Sequence, residues 1–190
     1  MSKPRYAYRL GHRSLRRVCP TLTTGQAKSL ARLLGQAMAE YDITTRRRAT
    51  MFIATVAHES MQFRLSKEMA SGEAYEGRKD LGNSRRGDGK KYKGRGYIQI
   101  TGRTNYTALK KAFDTDFLLL PSLLEEPKWA ARSAAWWWKT NGCNQLADSG
   151  DFRAVTRRVN GGYNGWPDRE RLLKRARPVG VFLIPRRRKP

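Results

Sequence analysis

Ala57-His58-Glu59-Ser60 and Gly94-Arg95-Gly96-Tyr97-Ile98-Gln99-Ile100-Thr101-Gly102 are the two stretches from which the rest of the chain is read. The first closes a run from about Arg46 with Ala49, Phe52, Ile53 and Val56 at helical spacing. That spacing predicts a helix with Glu59 on its apolar face, three residues after Val56 and seven after Phe52. A carboxyl so placed is partly desolvated, holds its proton more firmly and suits general-acid chemistry on a glycosidic oxygen. The plainer reading is that Glu59 merely ends its helix, exposed or paired with an arginine. The second stretch reads as a short strand from Tyr97 to Thr101, with glycines that let a ligand approach the backbone. On a strand Gln99 and Thr101 share a side, and Asn105 follows in a helix over about 103–113. Their amide and hydroxyl groups make a neutral wall suited to sugar hydroxyls and N-acetyl groups.

Working outward, Thr23 or Thr24 caps a helix that runs to about Tyr41, with Ala27, Leu30, Leu33, Leu34, Ala37 and Met38 in register. Thr44-Thr45 caps the helix that ends at Glu59. Residues 71–96, rich in glycine and charge, read as loop. Pro127 opens a helix through Lys139 closed by Asn141-Gly142, Asp151 a short one ending at Gly161-Gly162, and Pro167 the last, to about Ala176. Residues 1–20 read as irregular and basic. The expected fold is mainly α, with one small β element and a long central loop. Trp136-Trp137-Trp138, flanked by Ala130, Ala131, Ala134 and Ala135, reads as core, whereas Tyr163 and Trp166 are candidates for sugar contact. Arg46-Arg47-Arg48 reads as a solvated first turn, although arginine there opposes the helix dipole.

A length of 190 residues suits one domain with tails: a basic segment over 1–21, a catalytic domain over 22–178 and a basic tail over 179–190 ending in Arg186-Arg187-Arg188-Lys189. The formal charge of +23 implies a polyanionic partner. Half of the 16 acidic residues fall within 51–120, where the chemistry is placed. No apolar run of membrane-spanning length occurs, and the basic N-terminus lacks the apolar segment of a signal peptide. Cys19 and Cys143 are expected as free or buried thiols. The two histidines, His12 and His58, fit no zinc spacing, so neither metal nor cofactor is expected. His58 and Ser60 face apart on a helix, against a Ser-His nucleophile. The GRGYIQITG stretch lacks the lysine of a phosphate loop. Two-carboxylate glycoside hydrolysis needs a second acid, and Glu68, Glu73, Glu76, Asp80 and Asp88 are the candidates.

AHES at 57–60, AYEGRKDLGN at 74–83, GDGKKYKGRGYIQITGRTNY at 87–106, ARSAAWWWKTNG at 131–142 and RRVNGGYNGWPDR at 157–169 together resemble glycoside hydrolase family 19, in the version found in bacteriophage endolysins. The resemblance runs from about Leu22 to Arg177. It implies a lysozyme-like α+β fold with the long loop beside the cleft. Glu59 matches the general acid, and His58, in the same motif, is taken as substrate-binding. Thr101 matches the residue that helps hold the attacking water, and Gln99, Asn105 and Tyr106 match substrate-binding positions. Asn160 and Arg169 match positions lining the cleft from the far side. Glu76, in AYEGR, is the match for the general base, and Asn164 stands where plant enzymes carry an acid. The implied mechanism is inverting, with carboxylates ~6.5–9.5 Å apart and no cofactor.

The implied substrate is the β-1,4-linked glycan of peptidoglycan, cut by a monomer that waits in the host cytoplasm until the membrane is permeabilised. Its basic surface would bind anionic envelope polymers and, non-specifically, nucleic acid. Chitin oligomers are the second substrate reading. A nucleic-acid-binding protein is the reading from another class, but no helix-turn-helix, zinc-finger or RNA-recognition signature accompanies the charge. A wall-binding module without activity is a further one, against which Glu59, Gln99, Thr101 and Asn105 together argue.

Overall fold

The computed structural model describes residues 6–177 and 181–185, so the expectation for the Arg186–Lys189 tail lies outside the described residues. The chain divides into two units, one made of the chain up to His58 and again from Ala135, the other of Glu59–Ala134.

In the first unit, β1 (Tyr6–Leu10) pairs antiparallel with β2 (Val181–Pro185), Leu10 opposite Val181. α1 (His12–Val18) follows, burying Leu15 and Val18. The irregular N-terminal segment expected from sequence is therefore a strand and a helix. Its partner strand is some 170 residues away, and seven residues are too few for a convincing helical period. α2 (Thr24–Glu40) starts at a full capping box, in which the Thr23 hydroxyl accepts from Gln26 N and the Gln26 amide accepts from Thr23 N. It buries Ala27, Leu30, Leu34, Ala37 and Met38.

α3 (Arg46–Glu59) buries every residue from Ala49 to Ala57, because neighbours enclose it on all sides. Its three leading arginines are not merely solvated. Arg46 donates to Arg177 O at 2.8 and 3.1 Å, Arg47 to Asp148 O at 2.6 Å, and Arg48 grips the Asp148 carboxylate while donating to Asp42 O at 2.7 Å. They cap the C-terminal carbonyls of neighbouring segments, which offsets their unfavourable place in their own helix.

α6 (Pro127–Thr140) enters this unit at Ala135. Trp138 is fully buried, meets Phe52 edge-on at 5.5 Å and donates to Asn144 Oδ1 at 2.9 Å. The core reading thus holds for Trp138, while Trp136 and Trp137 are half-buried. α7 (Cys143–Asp148) escaped the sequence reading because Asn141-Gly142 looks like an end and also begins the next short helix. α8 (Phe152–Asn160) is capped by the Asp151 side chain, and α9 (Trp166–Ala176) starts at Gly165. Cys19 and Cys143 are free and buried, and burial pushes each thiol up to about 12.

The second unit holds the expected long loop, α4 (Asp88–Lys91) within it, and α5 (Arg103–Phe113). Its apolar centre includes Phe113, Phe117 and Trp129, with ring centres 5.3–5.9 Å apart. The Asp88 carboxylate, almost fully buried, accepts both Nε and Nη2 of Arg103 and the Arg85 N–H, tying α4 to the start of α5. The β element here consists of two isolated bridges, Lys67 with Arg95 and Arg95 with Ile100. No helix of the described residues is long and apolar enough to cross a membrane.

Candidate active site

Glu59 is the last residue of α3 and is half-buried. The chain turns away from it through Met61, Gln62 and Phe63, three consecutive non-glycine residues in the left-handed region (φ 48°, 58° and 65°). Each such residue costs about 1–2 kcal/mol, so the turn persists only because the surroundings hold it. The Ser60 hydroxyl accepts from Phe63 N at 2.9 Å, Ser60 O accepts from Leu65 N at 2.9 Å, and the Phe63 ring meets Tyr97 edge-on at 5.1 Å. Nothing in MQF announces this turn, since left-handed conformations are ordinarily read from glycine or asparagine.

The turn delivers Ser66–Glu68 alongside Gly94–Gly96: Glu68 N donates to Gly94 O at 2.9 Å and Gly96 N to Ser66 O at 2.8 Å. Glu68 is fixed there by two donors, Gly94 N on Oε2 at 3.0 Å and the Tyr75 hydroxyl on Oε1 at 2.9 Å. Burial and the carboxylate itself push the Tyr75 phenol above its usual range, so Tyr75 keeps its proton as a donor. Gln99 converges on the same point. A Cβ on Gly94 would lie 2.9 Å from Gln99 Oε1 and 3.1 Å from Glu68 Oε2, so any other residue there would push at least one of the two side chains aside.

The expected strand from Tyr97 to Thr101 is instead a tight turn. Arg95 and Ile100 exchange both backbone hydrogen bonds, at 2.8 and 3.1 Å, and the four residues between them fold over, with Gly96 and Gln99 left-handed. Gln99 and Thr101 therefore do not alternate along a strand. They belong to a knitted loop, in which Gln99 Nε2 donates to Gly96 O, the Thr101 hydroxyl to Gln99 O and Asn105 Nδ2 to Thr101 O, at 2.7–3.0 Å. All three side chains are half-buried. Arg95 braces the turn from behind, donating to Glu125 Oε1, Lys91 O and the Tyr106 hydroxyl.

Two residues expected in the site are engaged otherwise. Tyr106 is fully buried, burial pushes its phenol up to about 12, and its hydroxyl donates to Lys93 O while accepting from Arg95. Glu76 has one carboxylate oxygen on Gly87 N at 2.6 Å and the other on Gly89 N at 2.8 Å, so it clamps the start of α4.

The remaining expected residues lie in the first unit. His58 Nδ1 is 2.6 Å from Asp168 Oδ2, in the first turn of α9. Burial works to raise the Asp168 pKa, but Arg171 and His58 prevail and hold it below the usual carboxylate range. The imidazole lies directly over Gly165, where a Cβ would come within 2.6 Å of Cε1, and Gly165 is itself left-handed at φ 72°. Arg169 is buried and donates through Nε to Asn164 O at 3.0 Å. The Asn160 Nδ2 amide is buried with no hydrogen-bond partner among the described residues. Such a donor is what a ligand carbonyl would satisfy. No cluster of three or more His, Cys, Asp or Glu that could hold a metal ion occurs among the described residues.

No family model matches the chain. It is 38% identical over 114 residues to a glycosyl hydrolase family 19 domain-containing protein of Haemophilus influenzae, covering 56% of this chain and 52% of that protein. It is 37% identical over 124 residues to an endochitinase of Arabidopsis thaliana, covering 62% and 40%. The chain thus spans about half the length of the curated relatives it matches. Among solved structures it is similar to chitinase C from Streptomyces griseus, with a TM-score of 0.72 at 21% identity, covering 90% of this chain and 76% of that one. A bacterial family 19 chitinase superposes with a TM-score of 0.68 at 20% identity, covering 88% and 94%. The mainly α fold expected from the resemblance is the fold of these chitinases.

Proposed function

We propose that this chain, which resembles the family 19 glycoside hydrolases in sequence and shares the fold of their chitinases, hydrolyses β-1,4-glycosidic bonds of an N-acetylated glycan by inverting acid/base catalysis. The observation that carries the reading is the pair of half-buried carboxylates in the second unit, Glu59 at the end of α3 and Glu68 locked beside Gly94 and Gln99. Glu59 is the acid that protonates the leaving oxygen. Glu68 takes the part of base that the resemblance gave to Glu76, because Glu68 is half-buried beside Gln99 at the Gly94 turn, whereas Glu76 is exposed and clamps the start of α4. Thr101 orients the attacking water, and Gln99 and Asn105 supply the polar wall for sugar hydroxyls. The resemblance adds His58, which Asp168 holds in one orientation, and Asn160, with its unsatisfied amide, as substrate-binding residues. Arg169 holds the Asn160–Gly165 segment through Asn164 O. No metal or cofactor enters this chemistry.

The substrate in this reading is the glycan backbone of peptidoglycan, and the role is that of a phage endolysin released to the wall on membrane permeabilisation. A charge of +23 is rewarded by an anionic wall and not by neutral chitin. Chitin oligomers are the second reading, favoured by the names of the relatives. Turbidity clearing of purified cell walls, with mass spectrometry of the products, tests the first. New reducing ends on disaccharide-peptides support it. Cleavage of chitin oligomers with walls left intact selects the second.

A further inference from the structure

Arg153, Arg157 and Asn160 stand at i, i+4 and i+7 on α8, hence on one face. Like charges four residues apart repel, and neither arginine is paired with a carboxylate among the described residues. Asp151 is committed to the Ala154 N–H, and Asp168 to His58 and Arg171. Two aromatic rings hold the arginines instead. The Arg153 guanidinium lies 4.8 Å from the centre of the Trp166 ring and 5.7 Å from that of Tyr163. Arg157 lies 5.2 Å from the Tyr163 ring and donates to its hydroxyl from Nε at 3.0 Å and from Nη2. Phe152, 5.8 Å from Trp166, backs the assembly.

Trp166, read from the sequence as a candidate for sugar contact, has Phe152 and Arg153 packed against it. Both arginines and Tyr163 are exposed. Stacking uses the face of the Arg153 guanidinium and leaves its edge N–H donors in the fork geometry that suits carboxylates, while Arg157, with Nε and Nη2 on the Tyr163 hydroxyl, has Nη1 left to offer. The side-chain ordering that anion binding demands is already met in the free protein.

We propose that Arg153 and Arg157 form a rigid cradle for carboxylates borne by the glycan, as on sugars that carry acid-terminated peptides. The proposal rests on the glycosidase reading and deepens it. Asn160, which the resemblance gives as lining the cleft, follows the two arginines on the same helix face. The cradle thereby discriminates acidic wall glycan from chitin, which carries no carboxylate.

The test compares wild type with R153Q/R157Q, full length, on peptidoglycan, on the same material with its carboxyl groups amidated, and on chitin oligomers. Co-sedimentation with insoluble wall serves as a readout independent of turnover. In the double variant the ratio of kcat/KM on untreated wall to that on chitin oligomers falls about tenfold through KM, with kcat and Tm kept. Amidation removes the same advantage from wild type and lowers its co-sedimentation. Equal losses on wall and chitin, or unchanged values on both, overturn the cradle. So does loss of duplex-DNA binding with the wall KM unchanged, which would reassign the arginines to nucleic acid. Wild type inactive on every glycan would sink the glycosidase reading, while co-sedimentation that amidation and R153Q/R157Q both abolish would still support the cradle.

Discussion

The Glu68 carboxylate accepts the Gly94 N–H at 3.0 Å, and the missing side chain of Gly94 is what lets Glu68 and Gln99 approach each other. A loop acid 26 residues upstream is thereby built into the Gly94–Gly102 turn. Glu68→Gln is expected to lower kcat by about 10²–10⁴-fold and to remove about 1 kcal/mol of stability, since one of its two donors loses its acceptor. Glu76→Gln is expected to remove a similar amount of stability while leaving kcat within a few-fold. Steady-state kinetics beside thermal melting separate the two carboxylates.

Gly165 supports His58 in the same sense as Gly94 supports Glu68. Gly165→Ala forces a Cβ to 2.6 Å from the imidazole at a backbone φ of 72°. Denaturant titration is expected to show a loss of about 1–3 kcal/mol. An unchanged midpoint would mean that the imidazole simply moves aside.

The left-handed run after Glu59 leads to an unusual expectation. Met61 is exposed at 53% and its φ is 48°, so its side chain gives little and its backbone is strained. Met61→Gly is expected to raise stability by about 0.5–1 kcal/mol, read from the urea midpoint.

How much of this was legible in the sequence follows from where the information is stored. α2, α3, α5, α6, α8 and α9 were readable because capping residues and apolar period act locally: Thr23, Asp151, Pro127 and Pro167 mark starts that the structure keeps to within a residue. Pairing of β1 with β2 was not, since neither segment is complete without the other. The Arg95–Ile100 turn was misread as a strand because Tyr97, Ile98 and Ile100 favour strands locally, whereas Gly96 and Gln99 reverse the chain. Glu59, Gln99, Thr101 and Asn105 stood out by residue type. Glu68 was one of five candidate acids and was not singled out, because the backbone N–H and tyrosine hydroxyl that fix it reach it only on folding.

Asp88 supplies the expected pH dependence of stability. Hydrogen bonding from Arg103 outweighs burial and holds its carboxyl below the usual range. A group with a depressed folded pKa stabilises above its unfolded pKa of about 4, and that contribution is lost as pH falls through the folded value. Stability is therefore expected to be flat above about pH 5 and to decline below about pH 4. Asp88→Asn should flatten part of that decline and cost about 2 kcal/mol at neutral pH, by leaving Arg103 without its partner. Melting curves across pH check both.

The central claim is tested most directly by proton NMR of the first products released from a soluble β-linked N-acetylated glycan, with Glu59→Gln alongside. Wild type is expected to release the α-anomer first, and Glu59→Gln to release product slower by about 10²-fold or more. The β-anomer first, or undiminished turnover by Glu59→Gln, would contradict the account.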